Sequence, residues 1–229
     1  MEKSINLNRA TSWYVFLFSL WAVSVAAALS IQSKADLFLL INHARNPILD
    51  VVATMFTCMG DGAFTGILAV ICICTRRRQL AWQLLCSFLL STVFCQVLKN
   101  IADELRPAGF FPDASIVLHP SWTTPHRYNS FPSGHTTTAF STATIFAFYF
   151  KKVKVSLLCF FMAAMVGYSR VYLGQHFVGD VFTGSLLGAL TAGICILNYK
   201  NALIQNGLGL EYLFKKKKKL NERSLENIL

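Results

Sequence analysis

Six residues of this chain have types and spacing suited to chemistry: Lys99, Arg106, His135, Arg170, His176 and Asp180. Three cations complement a polyanion such as phosphate. Two histidines titrate near neutral pH. The single carboxylate lies four positions after His176, so on a helix the two share one face. A carboxylate bonded to one imidazole nitrogen fixes the tautomer and leaves the other nitrogen free to attack. Asp180 therefore reads as an orienting partner, in the manner of a triad carboxylate. Lys99 and Arg106 are seven apart, two helical turns, and face one target if the helix continues until Pro107 ends it. Pro132-Ser133-Gly134 opens an apolar run. Backbone N–H groups at a helix N-terminus bind phosphate, Gly134 permits close backbone approach, and the Ser133 hydroxyl adds a donor. His135 follows, within reach of a leaving group. Singly, each residue reads as an interfacial polar group; jointly they describe phosphoryl chemistry.

The elements that must carry these residues are membrane helices. Of the 229 residues, 54% are hydrophobic and 14% charged, against about 25% charged in an ordinary soluble domain. A span needs roughly 20 mostly apolar residues. Six stretches qualify: Trp13–Ile31, Pro47–Thr75 with a break at Gly60-Asp61-Gly62, Leu80–Leu98, Pro132–Phe150, Val155–Tyr172 and His176–Tyr199. The break is either a kink or the end of a short interfacial helix. The first stretch resembles a signal peptide in length, but five later spans and no small-residue cleavage pattern favour a retained helix. The fold class expected is all-α, a polytopic bundle of six transmembrane helices. Residues 1–11 form a cytoplasmic N-terminus, 12–199 the membrane domain and 200–229 a basic cytoplasmic tail.

Charge orients the bundle. With the N-terminus in the cytoplasm, 15 of the 21 Lys and Arg residues fall on the cytoplasmic side and six on the other. The positive-inside rule favours this arrangement, with both termini cytoplasmic. The six chemical residues then gather at span ends on the non-cytoplasmic face, where ionisable groups are costly and functional. The run Lys215 to Lys219 has two readings, a nucleic-acid arm or a contact with anionic headgroups. Its place beside a span favours the membrane and no nucleic acid.

Three blocks carry a resemblance. They are Lys99 followed by six residues and Arg106-Pro107; Pro132-Ser133-Gly134-His135; and Ser169-Arg170, five residues, His176, three residues, Asp180. In order and placement they resemble the phosphatidic acid phosphatase type 2 superfamily, in its integral membrane lipid phosphatase branch. The resemblance implies that His176 attacks phosphorus to form a phosphohistidine, that Asp180 orients it, and that His135 protonates the leaving oxygen. Lys99, Arg106, Arg170, Ser133 and the Gly134 backbone hold the phosphate. It also implies that neither metal nor other cofactor is needed. The expected substrate is a phosphorylated envelope lipid, lipid A or undecaprenyl pyrophosphate. Phosphatidylglycerophosphate and phosphatidic acid are the alternatives. The compact body suits a bacterial inner membrane with the site facing the periplasm.

Other features stay open. Asp103 and Glu104 are either a metal site or, favoured here, solvated loop charges. The Ala108–Ser130 loop, with Trp122, His119, His126 and Arg127, is either a lid reading the headgroup or a packed aromatic cap. His43 reads as interfacial. Gly184 and Gly188 form a small-residue pair suited to close packing within one chain rather than to dimerisation. The seven cysteines lie in apolar stretches and read as small buried residues. A non-enzymatic lipid-phosphate binding or transport protein remains the competing class; it would need cations but no nucleophile. Nothing in the pattern sets an oligomeric state.

Overall fold

The computed structural model of the chain describes residues 8–205, with the side chains of Ala114 and of residues 200–205 excepted. The lysine-rich run and most of the expected basic tail lie outside the described residues, as do residues 1–7. The described residues form nine α-helices and no strand: α1 (Arg9–Ile31), α2 (Lys34–Asn42), α3 (Pro47–Met59), α4 (Gly62–Cys74), α5 (Arg78–Ala102), α6 (Pro107–Phe110), α7 (Gly134–Phe150), α8 (Val153–Tyr172) and α9 (Val178–Gln205). A single 3₁₀ turn, Ala114–Ile116, sits in the long loop after α6.

Four of these helices are long and apolar enough to cross a membrane among the described residues, and five if α3 and α4 count as one broken span. The break is a bend of 56°. Its cause is local: Gly60 caps α3, and the Asp61 side chain caps a new helix by accepting from the Ala63 N–H at 2.8 Å. Many large apolar side chains face outward, among them Phe16, Val23, Leu89 and Leu190. In water such a surface would be a liability; against hydrocarbon it is required.

Helix α7 is the centre of the bundle. Its face of Thr136, Thr137, Ala139, Phe140, Ala143 and Ala147 is buried, and α8, α9 and α5 pack around it. Small residues let α9 approach closely. A Cβ on Gly188 would lie 2.2 Å from the Thr137 carbonyl oxygen, and one on Gly184 would lie 2.7 Å from that of Ser133. The glycine pair thus serves packing within the chain, as its spacing suggested. Buried hydroxyls bond between helices, Ser87 to Ser141 at 2.5 Å and Tyr14 to Thr144 at 2.9 Å. These satisfy polar groups where no water is at hand.

The two ends of the bundle differ. At one end the Arg77 guanidinium sits 5.3 Å from the Phe150 ring centre, joining the α4–α5 turn to the end of α7. At the other end α2, α6 and the long loop form a roof. Asn42, fully buried, donates to the carbonyls of Leu118 and Tyr172 and accepts from the Leu118 N–H. His43, exposed on the roof, meets the Ile116 carbonyl at 3.0 Å. Val117 and Phe111 pack with Phe38 and Phe177. The loop is therefore a packed aromatic cap in this region, while His126, Arg127 and Tyr128 remain exposed. Glu104 pairs with Lys34 at 3.5 Å, and both side chains are solvated. All seven cysteines are unpaired, yet only Cys72 and Cys95 are buried; Cys58 and Cys74 lie on the exterior. An apolar stretch facing lipid needs no burial, which is why the expectation of buried thiols fails there.

Candidate active site

Two local expectations change once the elements are seen. First, α5 does not run on to Arg106. It ends at Ala102 because Asp103 takes a left-handed conformation, φ +42°, and its N–H bonds back to the Lys99 carbonyl. Pro107 then starts α6 at its first position instead of ending α5. Lys99 and Arg106 still converge, through one acceptor: Lys99 Nζ donates to the Asn129 carbonyl at 2.6 Å and Arg106 Nη2 reaches it at 3.5 Å. Second, His176 does not open a helix. It lies in the α8–α9 turn, two residues before Val178. The turn is closed by Gly174 at φ +73° and by the N–H groups of Gln175 and His176 donating to the Arg170 carbonyl at 2.9 and 3.2 Å.

The histidine–carboxylate contact survives by a different route. Asp180 sits in the first turn of α9, and its Oδ2 reaches back to accept from the Phe177 N–H at 3.0 Å, the capping geometry of an acidic residue at that position. The same oxygen accepts from Ser130 Oγ at 2.5 Å and lies 3.3 Å from His176 Nδ1. A carboxylate held by such donors acts as an acceptor, so Nδ1 carries the ring proton and Nε2 keeps its lone pair. Both side chains are sealed, His176 at 2% and Asp180 at 3% exposure. Burial first, and then the positive charges of Arg106, Arg170 and Lys99, hold the His176 imidazole well below its ordinary titration range. At neutral pH the ring is the free base.

The cations are placed by backbone. Arg106 donates to the Tyr128 carbonyl at 3.0 Å and to the Gln175 carbonyl at 3.3 Å, beside His176. Arg170, buried, donates to Thr57 Oγ1 at 2.5 Å, while its Nε is buried without a partner among the described residues. An unsatisfied charged donor costs more than the roughly 1–3 kcal/mol of a neutral one, so it points to an acceptor supplied by a ligand. Ser133 is fully buried and starts α7. Its N–H donates to the Asp180 carbonyl at 3.0 Å, and its hydroxyl accepts from Thr136 Oγ1 at 2.9 Å. No side chain caps α7, which leaves the N–H groups of its first turn available to an anion. In front of Gly134 a Cβ would meet only Cys95 Sγ, at 3.8 Å. The space there is a cavity of about 260 Å³, lined by Asp61, Ser91, Cys95, Lys99, Gly134 and His135 among others.

Among the eight candidate residues, hydrogen bonds running through Asn129, Gln175 and the Arg170 carbonyl connect Lys99, Arg106, Arg170, Ser133, His176 and Asp180, while Gly134 and His135 follow Ser133 in α7 and share a cavity with Lys99. Sequence reasoning missed the residues that hold them: Ser130 on Asp180, Gln175 on Arg106 and Thr57 on Arg170. Ser130 lies two residues before the second motif block and Gln175 lies within the third, next to His176, which was the signal available. Thr57 carried none. The family model of the PAP2 superfamily matches residues 80–203, a stretch containing all eight.

The chain belongs to the PAP2 superfamily.

Over 174 residues it is 29% identical to an undecaprenyl-diphosphatase of Sulfolobus acidocaldarius, covering 76% of this chain and 82% of the relative. The crystal structure of Aquifex aeolicus LpxE matches with a TM-score of 0.64 and 34% identity, covering 71% of this chain and 93% of that one. The PAP2-type phosphatidylglycerolphosphate phosphatase from Bacillus subtilis matches with a TM-score of 0.61 and 28% identity, over 85% and 98% of the two chains. With its run of apolar helices, this PAP2 chain is a multi-pass membrane phosphatase.

Proposed function

We propose that this PAP2 chain removes phosphate from a lipid at the non-cytoplasmic membrane face through a phosphohistidine on His176, without a metal. The observation that carries the proposal is the Asp180 carboxylate. It binds His176 Nδ1, the Ser130 hydroxyl and the Phe177 N–H, and so aims an unprotonated Nε2 among three cations. Nε2 attacks phosphorus and the P–O bond to the lipid breaks. His135 gives its proton to the departing oxygen, and Asp180 stabilises the charge that the His176 ring acquires. Water then attacks the phosphohistidine, His135 takes its proton, and inorganic phosphate leaves. Lys99, Arg106, Arg170, Ser133 and the backbone at Gly134 bind the equatorial oxygens, so that catalysis is positioning plus charge stabilisation.

In the membrane we read six spans: α1, the α3–α4 pair, α5, α7, α8 and α9. Helix α7, with 17 residues, is at the short end of the spanning range, and its neighbours enclose it. The excess of Lys and Arg that the sequence assigns to the termini and to the loops away from the motif blocks supports, by the positive-inside rule, cytoplasmic termini and a site facing the periplasm of a bacterial inner membrane. The likeness to the undecaprenyl-diphosphatase, over most of that protein's length, supports undecaprenyl pyrophosphate as substrate. Lipid A stands beside it. The B. subtilis phosphatase favours phosphatidylglycerophosphate as a second reading.

Purified protein assayed in EDTA against polyprenyl, lipid A and phosphatidylglycerol phosphates tests the activity and ranks the lipids. Phosphate release in EDTA that disappears in His176→Ala is expected. A requirement for added divalent metal would remove the metal-free route. Reporters fused after Leu229 and near Asp113 test the orientation, with the first expected inside and the second outside.

A further inference from the structure

The bend between α3 and α4 is pressed against His135. A Cβ on Gly60 would fall 2.8 Å from the His135 carbonyl oxygen and 3.0 Å from its Cβ. A glycine is therefore required there if the bend is to touch the start of α7. The next residue, Asp61, lines the same cavity as His135, Lys99 and Gly134. One of its oxygens caps α4 through the Ala63 N–H. The other oxygen has no hydrogen-bond partner among the described residues.

The charges that surround His135 are otherwise positive. Lys99 comes from the end of α5, Arg106 from the start of α6 and Arg170 from the end of α8. The Asp180 carboxylate is already held by Ser130, Phe177 and His176. An imidazolium in such company is destabilised by every cation near it. An acid that must carry a proton to a leaving oxygen there needs a counter-charge.

We infer that Asp61 is a positioning residue for His135, supplying from the α3–α4 bend the negative charge that accompanies the His135 proton to the leaving group. The inference rests on the reading of His135 as the general acid. Asp61 touches neither the reacting phosphorus nor the nucleophile. Its charge acts across the cavity in which the departing oxygen is released. The bend is thereby part of the site rather than a packing irregularity, and the acid limb of the reaction is assembled from α7 and the α3–α4 pair together.

The informative variant is Asp61→Asn, because asparagine caps a helix as well as aspartate does and only the charge is lost. Its kcat on a lipid monophosphate is expected to fall about tenfold, part of the 10²- to 10⁴-fold that acid–base catalysis contributes. KM and melting temperature are expected to hold. On a nitrophenyl phosphate, whose leaving oxygen needs no proton, the loss is expected to vanish, and Asp61→Glu is expected to recover part of the lipid activity. His135→Ala is the companion measurement and must show the same dependence on leaving group, more strongly. Equal losses on both substrates, or no loss on either, in Asp61→Asn would overturn the role of Asp61 while leaving that of His135 intact. A His135→Ala enzyme equally impaired on both substrates would overturn the acid assignment, and the inference with it.

Discussion

Asp180 Oδ2 lies 3.3 Å from His176 Nδ1, although only Asp180 is in a helix. Four-residue spacing normally brings side chains together on a shared helical face. Here the carboxylate, in the first turn of α9, leans back over the N-terminus to a ring in the preceding turn. The arrangement gives Asp180 two duties, capping α9 and fixing the His176 tautomer. Asp180→Asn keeps the size but presents one acceptor and one donor group. We expect kcat to fall by about 10³- to 10⁴-fold with KM little changed, the scale seen when a triad carboxylate becomes an amide. Steady-state kinetics on detergent-solubilised enzyme measure this.

Ser130 is the support that the motif blocks do not include. It is fully buried and donates to the same oxygen as His176. Ser130→Ala leaves Asp180 with one donor fewer, a loss of about 1–3 kcal/mol for a buried group bound to charge. The expected outcome is a kcat reduced roughly 10- to 100-fold and a lower melting temperature, read by phosphate release and by thermal unfolding in parallel.

His176 should give the enzyme an unusual tolerance of acid. Its imidazole is held below the ordinary value of 6.5 by burial and by neighbouring cations. The neutral, attacking form therefore persists below the pH at which a free histidine protonates. The acid limb of kcat/KM, after correction for titration of the substrate, is expected below pH 6.5. Stability follows the same sign. A histidine whose folded pKa is depressed binds its proton more readily when unfolded, so its contribution is complete above the unfolded value. That contribution is lost as pH falls from about 6.5 toward the folded value. Melting temperatures taken across this window should decline more steeply in the wild type than in His176→Ala.

Gly188 tests the packing that carries the site. A methyl group there would overlap the Thr137 carbonyl at 2.2 Å, on the helix whose first turn holds Ser133, Gly134 and His135. Gly188→Ala is expected to destabilise the protein by about 1–3 kcal/mol, the range for overpacking, and to reduce kcat by displacing α7 from α9. Thermal unfolding checks the first and phosphate release the second. An unchanged melting temperature would show that the two helices are not this close.

The sequence made much of this site legible, for a physical reason. In a membrane, ionisable residues are too costly to scatter, so Lys99, Arg106, His135, Arg170, His176 and Asp180 stood out against apolar spans. The boundaries of α7 and α8 were likewise visible, because Pro132-Ser133 and the lysines at 151–154 interrupt the hydrophobic runs. What was hidden depends on backbone turns. The left-handed residue at Asp103 stops α5 short, and Gly174 with the Arg170 carbonyl lifts His176 out of the helix. Neither can be read from side-chain periodicity. The roles of Ser130, Gln175 and Thr57 are hidden for a different reason: each is an ordinary polar residue whose role exists only through a partner far away in sequence, and only the first two lie near a motif block. In the sequence Asp61 reads only as part of a break, since its relation to His135 arises from packing between α3–α4 and α7.

The most direct test of the central claim is to trap the phosphoenzyme. Wild-type protein quenched rapidly during turnover should carry one phosphate on the peptide containing His176, labile to acid and stable to base. Asp180→Asn should accumulate far less of it, and His176→Ala none. Phosphate on another residue, or full turnover with no label on His176, would contradict the account.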